Sequence, residues 1–193
     1  MRYAACSTLA LTMLCAACAT EQPGAAADQQ PSAVVADLVA DVGQVEQKLV
    51  GLAREMPAAK YDWRPGTGVR SVGEVFMHVA SDNYFLPAPL GTMPPAATGI
   101  TAEDYNTVVA FEQRKLPRDS IIAELERSFA HLKTAMSGVM TGRMDDTVSM
   151  FGQKYTVQQT LVLATTHLHE HLGQSIAYAR SNGVVPPWSR GGQ

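Results

Sequence analysis

The sequence predicts an all-α protein in which an antiparallel four-helix bundle follows an N-terminal leader. Three observations in the 193 residues predict this class. Apolar residues recur every three or four positions in four long segments, two of those segments begin with capping-box patterns, and strand-like alternation is almost absent. Four amphipathic helices of this length are typical of a bundle, because each buries its apolar stripe against the others.

Residues 1–19 have the layout of a secretory signal peptide or lipoprotein leader. Arg2 supplies a positive charge, and the run from Ala4 to Thr20 is uncharged and mostly apolar. Cleavage is favoured over a retained membrane anchor, because the Ala, Ser, Thr and Cys residues make this run only weakly hydrophobic. Ala16-Ala17-Cys18 resembles a bacterial lipobox, but Cys15 stands where that pattern prefers Leu, so ordinary cleavage stays an alternative. We expect an exported protein, either periplasmic or anchored to the membrane as a lipoprotein.

Composition excludes several kinds of chemistry from the rest of the chain. The three cysteines, Cys6, Cys15 and Cys18, all lie in the leader, so no thiol remains for a disulfide, a cysteine-ligated zinc or a nucleophile. The 15 basic and 18 acidic residues give a net charge of −3 and form no basic patch. Binding to nucleic acid therefore has no electrostatic support.

The chain after the leader divides into a linker, one domain and a tail. Residues 20–32 are rich in Ala, Gln, Gly and Pro and are predicted to be a flexible linker. Residues 33–185 are long enough for one ordinary hydrophobic core, and residues 186–193 are left as a tail.

The first two helices are predicted from apolar spacing and from their end signals. The first covers residues 33–56, where six apolar residues are spaced by three and four, and Pro57 marks its end. The second begins at Ser71, because Ser71 and Glu74 can form a capping box, and it stops before Pro87.

The middle of the chain is predicted to contain a loop, two helices and a turn. Residues 87–104 form a Pro- and Ala-rich loop that is long for a compact domain, which makes it a candidate functional segment. A short helix is predicted over residues 105–115, and the third main helix over residues 119–140, which carry six apolar residues on one stripe. Residues 147–156 indicate a tight turn or a small hairpin.

The last helix has clear signals at both ends. Thr156 and Gln159 form a second capping-box pattern at its start. The helix is predicted to run to Ser181, because Asn182-Gly183 is a typical stop signal and prolines follow.

Three of the five histidines, His167, His169 and His171, lie within five residues of this last helix. At about 100° per residue, His167 and His171 are about 40° apart and face one side, whereas His169 faces elsewhere. Such a pair can present two imidazoles to one metal ion, although two histidines that merely share a face fit the spacing equally well. His78 lies beside the core stripe of the second helix, and facing helices of a bundle can combine their residues in one interior site.

These residues belong to motifs in which the chain resembles the DinB-like family, a group related to bacillithiol- and mycothiol-dependent transferases. The resemblance covers about Val34 to Tyr178. The motifs that carry it are Met56-Pro57, Tyr61-Asp62-Trp63-Arg64-Pro65, Ser71-Val72-Gly73-Glu74-Val75 leading into His78-Val79, Phe151-Gly152 with Thr156, and His167-Leu168-His169-Glu170-His171-Leu172-Gly173-Gln174.

The resemblance implies a four-helix bundle in which His78, His167 and His171 bind one divalent metal ion. Zinc or nickel is expected first, and manganese and iron stay open because imidazole ligands do not discriminate sharply among these metals. The family often has Arg where this sequence has Leu172, so the resemblance does not extend to an anion or substrate contact at that position.

Three neutral imidazoles leave at least one coordination position open, which is the composition of a catalytic zinc site rather than a structural one. We therefore predict a metal-dependent hydrolase or thiol transferase, with its small-molecule substrate and its catalytic residues unidentified. Export weakens thiol transfer, because abundant small thiols are mainly cytoplasmic. One alternative is a non-catalytic exported bundle that binds a metal or a ligand, and another gives the histidines only a structural role. A homodimer is compatible with exposed apolar loops.

Several polar and aromatic side chains are predicted to lie near the histidines. Asp82, one turn after His78, would orient that ring or act as a base, or else be a solvated carboxylate. Tyr61 and Trp63 are expected to close the end of the bundle, or alternatively to line the mouth of a pocket. The candidates for direct support of the histidines are Asp82, Glu74, Thr166 and Gln174.

Overall fold

The structure is a computed structural model that describes residue 30 and residues 32–191. The predicted leader at residues 1–19 and almost all of the predicted linker at residues 20–32 lie outside the described residues, so both stay predictions. Within the described part of the chain, no helix is both long enough and apolar enough to cross a membrane.

The described residues are mostly helical, as predicted, and the helices begin close to the predicted positions. The third main helix ends three residues early, because the amide of Gly138 donates to the carbonyl of Ala135 and closes the last turn. The short helix likewise stops before residue 115. The five helices are α1 (Ala33–Glu55), α2 (Val72–Phe85), α3 (Tyr105–Glu112), α4 (Arg118–Ser137) and α5 (Val157–Ser181).

Both predicted capping boxes are present. At the start of α2, the Ser71 hydroxyl accepts from the Glu74 amide, and the Glu74 carboxylate accepts from the Ser71 amide. At the start of α5, Thr156 and Gln159 exchange the same pair of hydrogen bonds. Each box satisfies amide donors that the first turn of a helix leaves free, a contribution of about 1 kcal/mol.

The four longer helices surround one hydrophobic core. Helix α1 packs against α4 and α5, α2 packs against the same two helices, and α3 covers a further side of α2. As a result every residue of α2 except Glu74 is buried, including its polar residues. The largest fully buried side chains are Phe76, Phe111, Phe129, Leu49, Leu52, Met56, Met77, Leu125, Leu132, Met136, Leu161 and Leu168.

The segment between α4 and α5 is a hairpin, one of the two alternatives that the sequence left open for residues 147–156. Strands β1 (Thr147–Met150) and β2 (Gln153–Thr156) pair antiparallel, with Met150 opposite Gln153. The two-residue turn consists of Phe151 and Gly152, both at positive φ, +53° and +71°.

The predicted loop at residues 87–104 contains two short 3₁₀ helices, Ala88–Leu90 and Ala96–Thr98. The first of these contacts β1, so the loop and the hairpin lie together at the end of α2. Beyond α5, a 3₁₀ turn at Pro187–Ser189 packs on α1, and Arg190 pairs with Glu55 at 2.5 Å.

Candidate metal centre

The structure brings His78, His167 and His171 together through their Nε2 atoms. The Nε2 of His167 lies 3.2 Å from the Nε2 of His78 and 3.0 Å from the Nε2 of His171. The centroids of the three rings are 4.4–5.1 Å apart. We call these three Nε2 atoms and their rings the histidine centre.

The helices place the rings for simple reasons. His167 and His171 lie one turn apart on the side of α5 that faces α2, and His78 lies in the middle of the buried helix α2. His169 projects elsewhere, as the helical phase predicts, and its Nε2 is 2.6 Å from Asp41 Oδ2 at the surface. His131 lies on α4 against the ring of Tyr84, away from the centre.

The proton on His171 is fixed by a chain of hydrogen bonds. The Tyr178 hydroxyl donates to the backbone carbonyl of Arg70 at 3.1 Å, so it accepts from the Gln174 Nε2 group at 3.1 Å. The Oε1 atom of Gln174 must then face His171, and it accepts from the Nδ1 of His171 at 2.8 Å. A neutral His171 with its proton on Nδ1 presents a bare lone pair at Nε2.

The proton on His78 is fixed in the same way by Glu112 of α3. The Nδ1 of His78 donates to Glu112 Oε1 at 2.6 Å, and the guanidinium of Arg70 donates to Glu112 Oε2 at 3.1 and 3.3 Å. Burial opposes ionisation of Glu112, but the hydrogen bonds from His78 and Arg70 and the charge of Arg70 outweigh it and lower the pKa of the carboxyl. Glu112 is therefore an acceptor, and a neutral His78 also presents its lone pair at Nε2.

A buried carboxylate lies beside the histidine centre. Asp82 Oδ2 is 3.1 Å from the Nε2 of His167 and 3.7 Å from the Nε2 of His78. Its other oxygen, Oδ1, is buried and has no hydrogen-bond partner among the described residues. Burial raises the pKa of Asp82 to about 6, and the charge of Glu112 adds to the rise.

Among the described residues, the hydrogen-bond donors and acceptors of the histidine centre do not balance. Burial, followed by the charges of the neighbouring rings, lowers the pKa of His167 to about 3, and burial lowers the pKa of His171 as well. The Nε2 of His167 can carry one proton at most, yet it faces two ring lone pairs and an Asp82 oxygen. Converging buried acceptors repel one another unless a cation lies among them, so the donor set fits a divalent metal ion.

Two overlapping groups of side chains have the spacing of metal ligands. One is the three histidines, and the other is His78 with Asp82 and Glu112; within each group the ligand atoms lie within 4.8 Å of one another. Glu112 contacts the Nδ1 of His78, which is the nitrogen that does not meet the other rings. Glu112 therefore orients His78, and the atoms that converge on one point are the three Nε2 atoms and Asp82 Oδ2.

The four supporting residues predicted from sequence divide into two pairs. Gln174 and Asp82 touch the histidine centre. Glu74 does not, because its carboxylate caps α2 and pairs with Arg64 and Lys115; the Ser71 amide and these cations lower its pKa to about 2. The hydroxyl of Thr166 is exposed and donates to carbonyls of its own helix.

The aromatic residues before α2 close the end of the helical core, as expected. Tyr61 is buried and its hydroxyl donates to the carbonyl of Ala53 at 2.7 Å. The ring of Trp63 packs edge-on against Tyr178 at 5.4 Å. Trp63 thereby supports the tyrosine that orients Gln174.

Sequence reasoning missed Glu112 and Arg70. The only available signal was weak: Glu112 lies next to Phe111, which together with Val108 forms the buried side of α3. Nothing local indicates that its partner is His78, 34 residues earlier in the chain. That pairing depends on how α3 packs on α2.

A family model described as the DinB superfamily matches residues 42–175, a range that includes the histidine centre, Asp82 and Glu112. No protein with a curated description matches the sequence.

Solved structures are similar to this chain in fold. A DinB-like protein from Bacillus subtilis is 16% identical, with a TM-score of 0.59 over 77% of this chain and 93% of that one. A mycothiol-dependent maleylpyruvate isomerase is 16% identical, with a TM-score of 0.57 over 72% of this chain and 59% of that one. A mutant of that isomerase, with a histidine replaced by alanine, is 14% identical, with a TM-score of 0.53 over 81% of this chain and 63% of that one. This chain thus spans less than two thirds of the isomerase.

Proposed function

The chain belongs to the DinB superfamily, and from that premise we propose that it binds one divalent metal ion through the Nε2 atoms of His78, His167 and His171. The observation that carries the proposal is the convergence of these three atoms, with the Nε2 of His167 3.2 Å from that of His78 and 3.0 Å from that of His171. The Nδ1 partners Glu112 and Gln174 support it, because they hold the protons of His78 and His171 on the far side of each ring.

The spacing of the nitrogens also supports metal binding. Zinc–nitrogen bonds of about 2.0–2.1 Å at tetrahedral angles hold two ligand nitrogens about 3.3 Å apart. The distances of 3.0 and 3.2 Å in the histidine centre are close to that spacing. Imidazole ligands suit zinc and nickel, which we propose first, and they also accept iron.

The proposed activity is metal-dependent hydrolysis of a small-molecule substrate. When bound, a divalent ion would supply Lewis acidity to a water or thiol at the coordination position that the three histidines leave open. Asp82 would accept a proton from that group, since its Oδ2 lies 3.1 Å from the Nε2 of His167 and its Oδ1 has no hydrogen-bond partner among the described residues.

Glu112 and Gln174 act on the rings and not on the substrate. Each fixes the tautomer and the orientation of one histidine, and outer partners of this kind typically contribute about 10- to 100-fold to metal affinity. Arg70 in turn holds Glu112, and Tyr178 holds Gln174.

A second candidate activity is transfer of a thiol to an electrophile at the same open position. It is favoured by the likeness to a structure named as a mycothiol-dependent isomerase. Under either activity we propose that the fold is an antiparallel four-helix bundle. We further propose that residues 1–19 direct export and that the linker tethers the domain. A lipid anchor on Cys18 and a homodimer are additional proposals. The alternative without catalysis is an exported bundle that binds a metal or a ligand.

Elemental analysis of purified variants tests the metal site. We expect about one ion per chain in the wild type, and its loss in His78→Ala, His167→Ala and His171→Ala. The matched controls His131→Ala and His169→Ala should keep the ion. A wild type without metal after growth with zinc and nickel contradicts the proposal, and a His169→Ala variant that loses metal contradicts the assignment of ligands.

Activity assays then separate the chemical alternatives. Metal-loaded protein is tested against a panel of esters and amides and against a panel of thiols with electrophiles, and Asp82→Asn is tested beside it. Turnover on the first panel supports hydrolysis, and turnover on the second supports thiol transfer. A metal-loaded protein that turns over neither panel supports the non-catalytic binder.

A further inference from the structure

A surface cavity of about 370 Å³ lies where the end of α2, the start of α3 and the hairpin turn meet. Three aromatic rings form much of its wall: Phe85 lies 5.6 Å from both Tyr105 and Phe151, and Tyr105 lies 5.8 Å from Phe151, between ring centroids. We call this space, lined also by Met150, Ala88 and Glu103, the aromatic cavity. Its size is within the range of small-molecule sites.

The aromatic cavity and the histidine centre lie along the same pair of helices. His78, Asp82 and Phe85 are spaced by four and three residues, so they follow one face of α2. Helix α3 runs along that face in the opposite direction, because Glu112 contacts His78 and Tyr105 contacts Phe85. The seven residues from His78 to Phe85 correspond to a rise of about 10 Å along the helix.

Electrostatics support the same arrangement. Burial raises the pKa of Tyr105, and the charges of Asp82 and Glu112 raise it further. A tyrosine in the wall of the cavity is therefore within electrostatic reach of the carboxylates beside the histidines.

Phe151 is an unusual residue for its position. It has φ +53° in a two-residue hairpin turn, where Asn, Asp or Gly is favoured because a side chain is strained there. Its side chain is also 52% exposed, so burial alone does not account for it. The turn places this aromatic ring in the wall of the cavity, where a bound group would cover part of its exposed surface.

We propose that the aromatic cavity binds the flat, neutral apolar end of a small-molecule substrate whose polar, metal-binding end lies at the histidine centre about 10 Å away. The proposal rests on the proposed metal site and adds a substrate class to it. The lining residues include Glu103 and neither Lys nor Arg, which disfavours an anionic group, and the aromatic and aliphatic side chains of the wall favour an uncharged apolar one. An aryl or short branched alkyl group has the required shape.

Two hydroxamates that differ only in their tails test the proposal by isothermal titration calorimetry on zinc-loaded protein. Acetohydroxamate has a metal-binding head alone, and 4-phenylbutanohydroxamate adds a phenyl group on a flexible spacer. Burial of a phenyl group contributes enough for the second probe to bind about tenfold more tightly or better. Equal affinities of the two probes overturn the proposal.

Substitution of Phe151 locates the tail. Phe151→Asn removes the ring and keeps a residue that tolerates positive φ, so the hairpin is preserved. We expect it to lose most of the tenfold preference, with zinc content and acetohydroxamate affinity unchanged. The matched control is Val162→Ala, an exposed apolar residue in a separate groove on α5. Loss of the preference in Val162→Ala and not in Phe151→Asn overturns the proposal.

A probe without a metal-binding head tests the cavity even if the protein does not bind metal at the histidine centre. 4-Phenylbutan-1-ol is added at millimolar concentration to metal-free protein, and the ring resonances of Phe85, Tyr105 and Phe151 are followed by NMR. Saturable shifts that Phe151→Asn removes support the cavity even when the protein holds no metal. Unchanged ring resonances in the wild type overturn the cavity independently of the metal result.

Discussion

Helix α2 carries two sets of buried polar groups, and they differ in how completely protein atoms satisfy them. Toward α4, Asn83 donates from Nδ2 to Ser128 Oγ at 3.1 Å, and Ser128 donates to the carbonyl of Leu125 at 2.7 Å. Toward α5, the ring of His78 meets two other rings and Asp82, and acceptors outnumber the protons between them.

Under the proposed function, the difference separates a structural role from a ligand-binding one. A closed set of buried hydrogen bonds contributes to folding, and removing one partner leaves the other unsatisfied. An open set of acceptors contributes to folding only when a cation binds to it. We therefore expect changes in the Asn83 set to alter the free energy of unfolding, and changes in the histidine centre to alter the response to metal.

The largest expected effect is the loss of metal-induced stabilisation in His167→Ala. For the wild type, a metal concentration of 100 times its Kd should raise the free energy of unfolding by about 2.7 kcal/mol. His167→Ala should show no increase, because the Nε2 of His167 lies within 3.2 Å of the Nε2 atoms of both other histidines. Differential scanning calorimetry with and without zinc measures this. A variant still stabilised like the wild type would show that the ion binds elsewhere, and His169→Ala serves as the control that keeps the stabilisation.

Glu112→Gln should weaken metal binding about 10- to 100-fold. The amide keeps the shape of the side chain but removes the negative charge that faces the Nδ1 of His78. Competition for zinc against a fluorescent chelator gives the affinity. Glu170→Gln removes the same charge from α5 without touching a ring nitrogen and should leave the affinity close to that of the wild type. An equal loss of zinc affinity in both variants would show that the effect comes from the net charge near the site and not from the contact between Glu112 and His78.

Ser128→Ala should lower the free energy of unfolding by about 1–3 kcal/mol, because Asn83 Nδ2 is buried and loses its acceptor. Urea denaturation of the metal-free protein measures the change. Thr134→Ala removes an exposed hydroxyl from the same helix and should change stability by less than about 0.5 kcal/mol. Zinc affinity should be unaltered in both variants. A weakened zinc affinity in Ser128→Ala would show that the Asn83 hydrogen bonds and the histidine centre are not independent.

A further expected effect is on the pH dependence of the metal-free protein, where it is spread over two pH units. The pKa of Asp82 is raised to about 6, so its contribution to stability is present at low pH and is lost as the pH rises through 6. The pKa values of His167 and His171 are lowered, so their contribution is present above the unfolded value and is lost as the pH falls. Asp82 therefore offsets part of the acid destabilisation.

Asp82→Asn removes the stabilisation that the wild type gains when Asp82 is protonated at low pH. Between pH 6 and pH 4 its free energy of unfolding should fall more steeply than that of the wild type, by up to about 1.4 kcal/mol per pH unit. Urea titrations at several pH values measure the slope. A slope equal to that of the wild type would mean that Asp82 is not held protonated beside the rings.

The sequence was a good guide wherever the relevant interaction is local. Ser71 with Glu74 and Thr156 with Gln159 form their capping boxes within one helical turn, so three-residue spacing was sufficient to predict them. Helical phase likewise separated His169 from its neighbours, because rotation per residue is a property of the helix itself. The motif resemblance added His78, which spacing alone could not connect to α5.

Tertiary packing decided which side chains surround the histidine centre and how deeply they are buried. Burial of α2 on nearly all sides raises the pKa of Asp82, which the sequence left open as a solvated carboxylate. Glu112 meets His78, and Phe151 meets Phe85 and Tyr105, only because α3 and the hairpin fold onto α2. The sequence by itself determined the helices, their caps and the face that the histidines share, since these depend on short-range geometry. The surroundings of that face were decided by the tertiary structure, because contacts across tens of residues have no local signature.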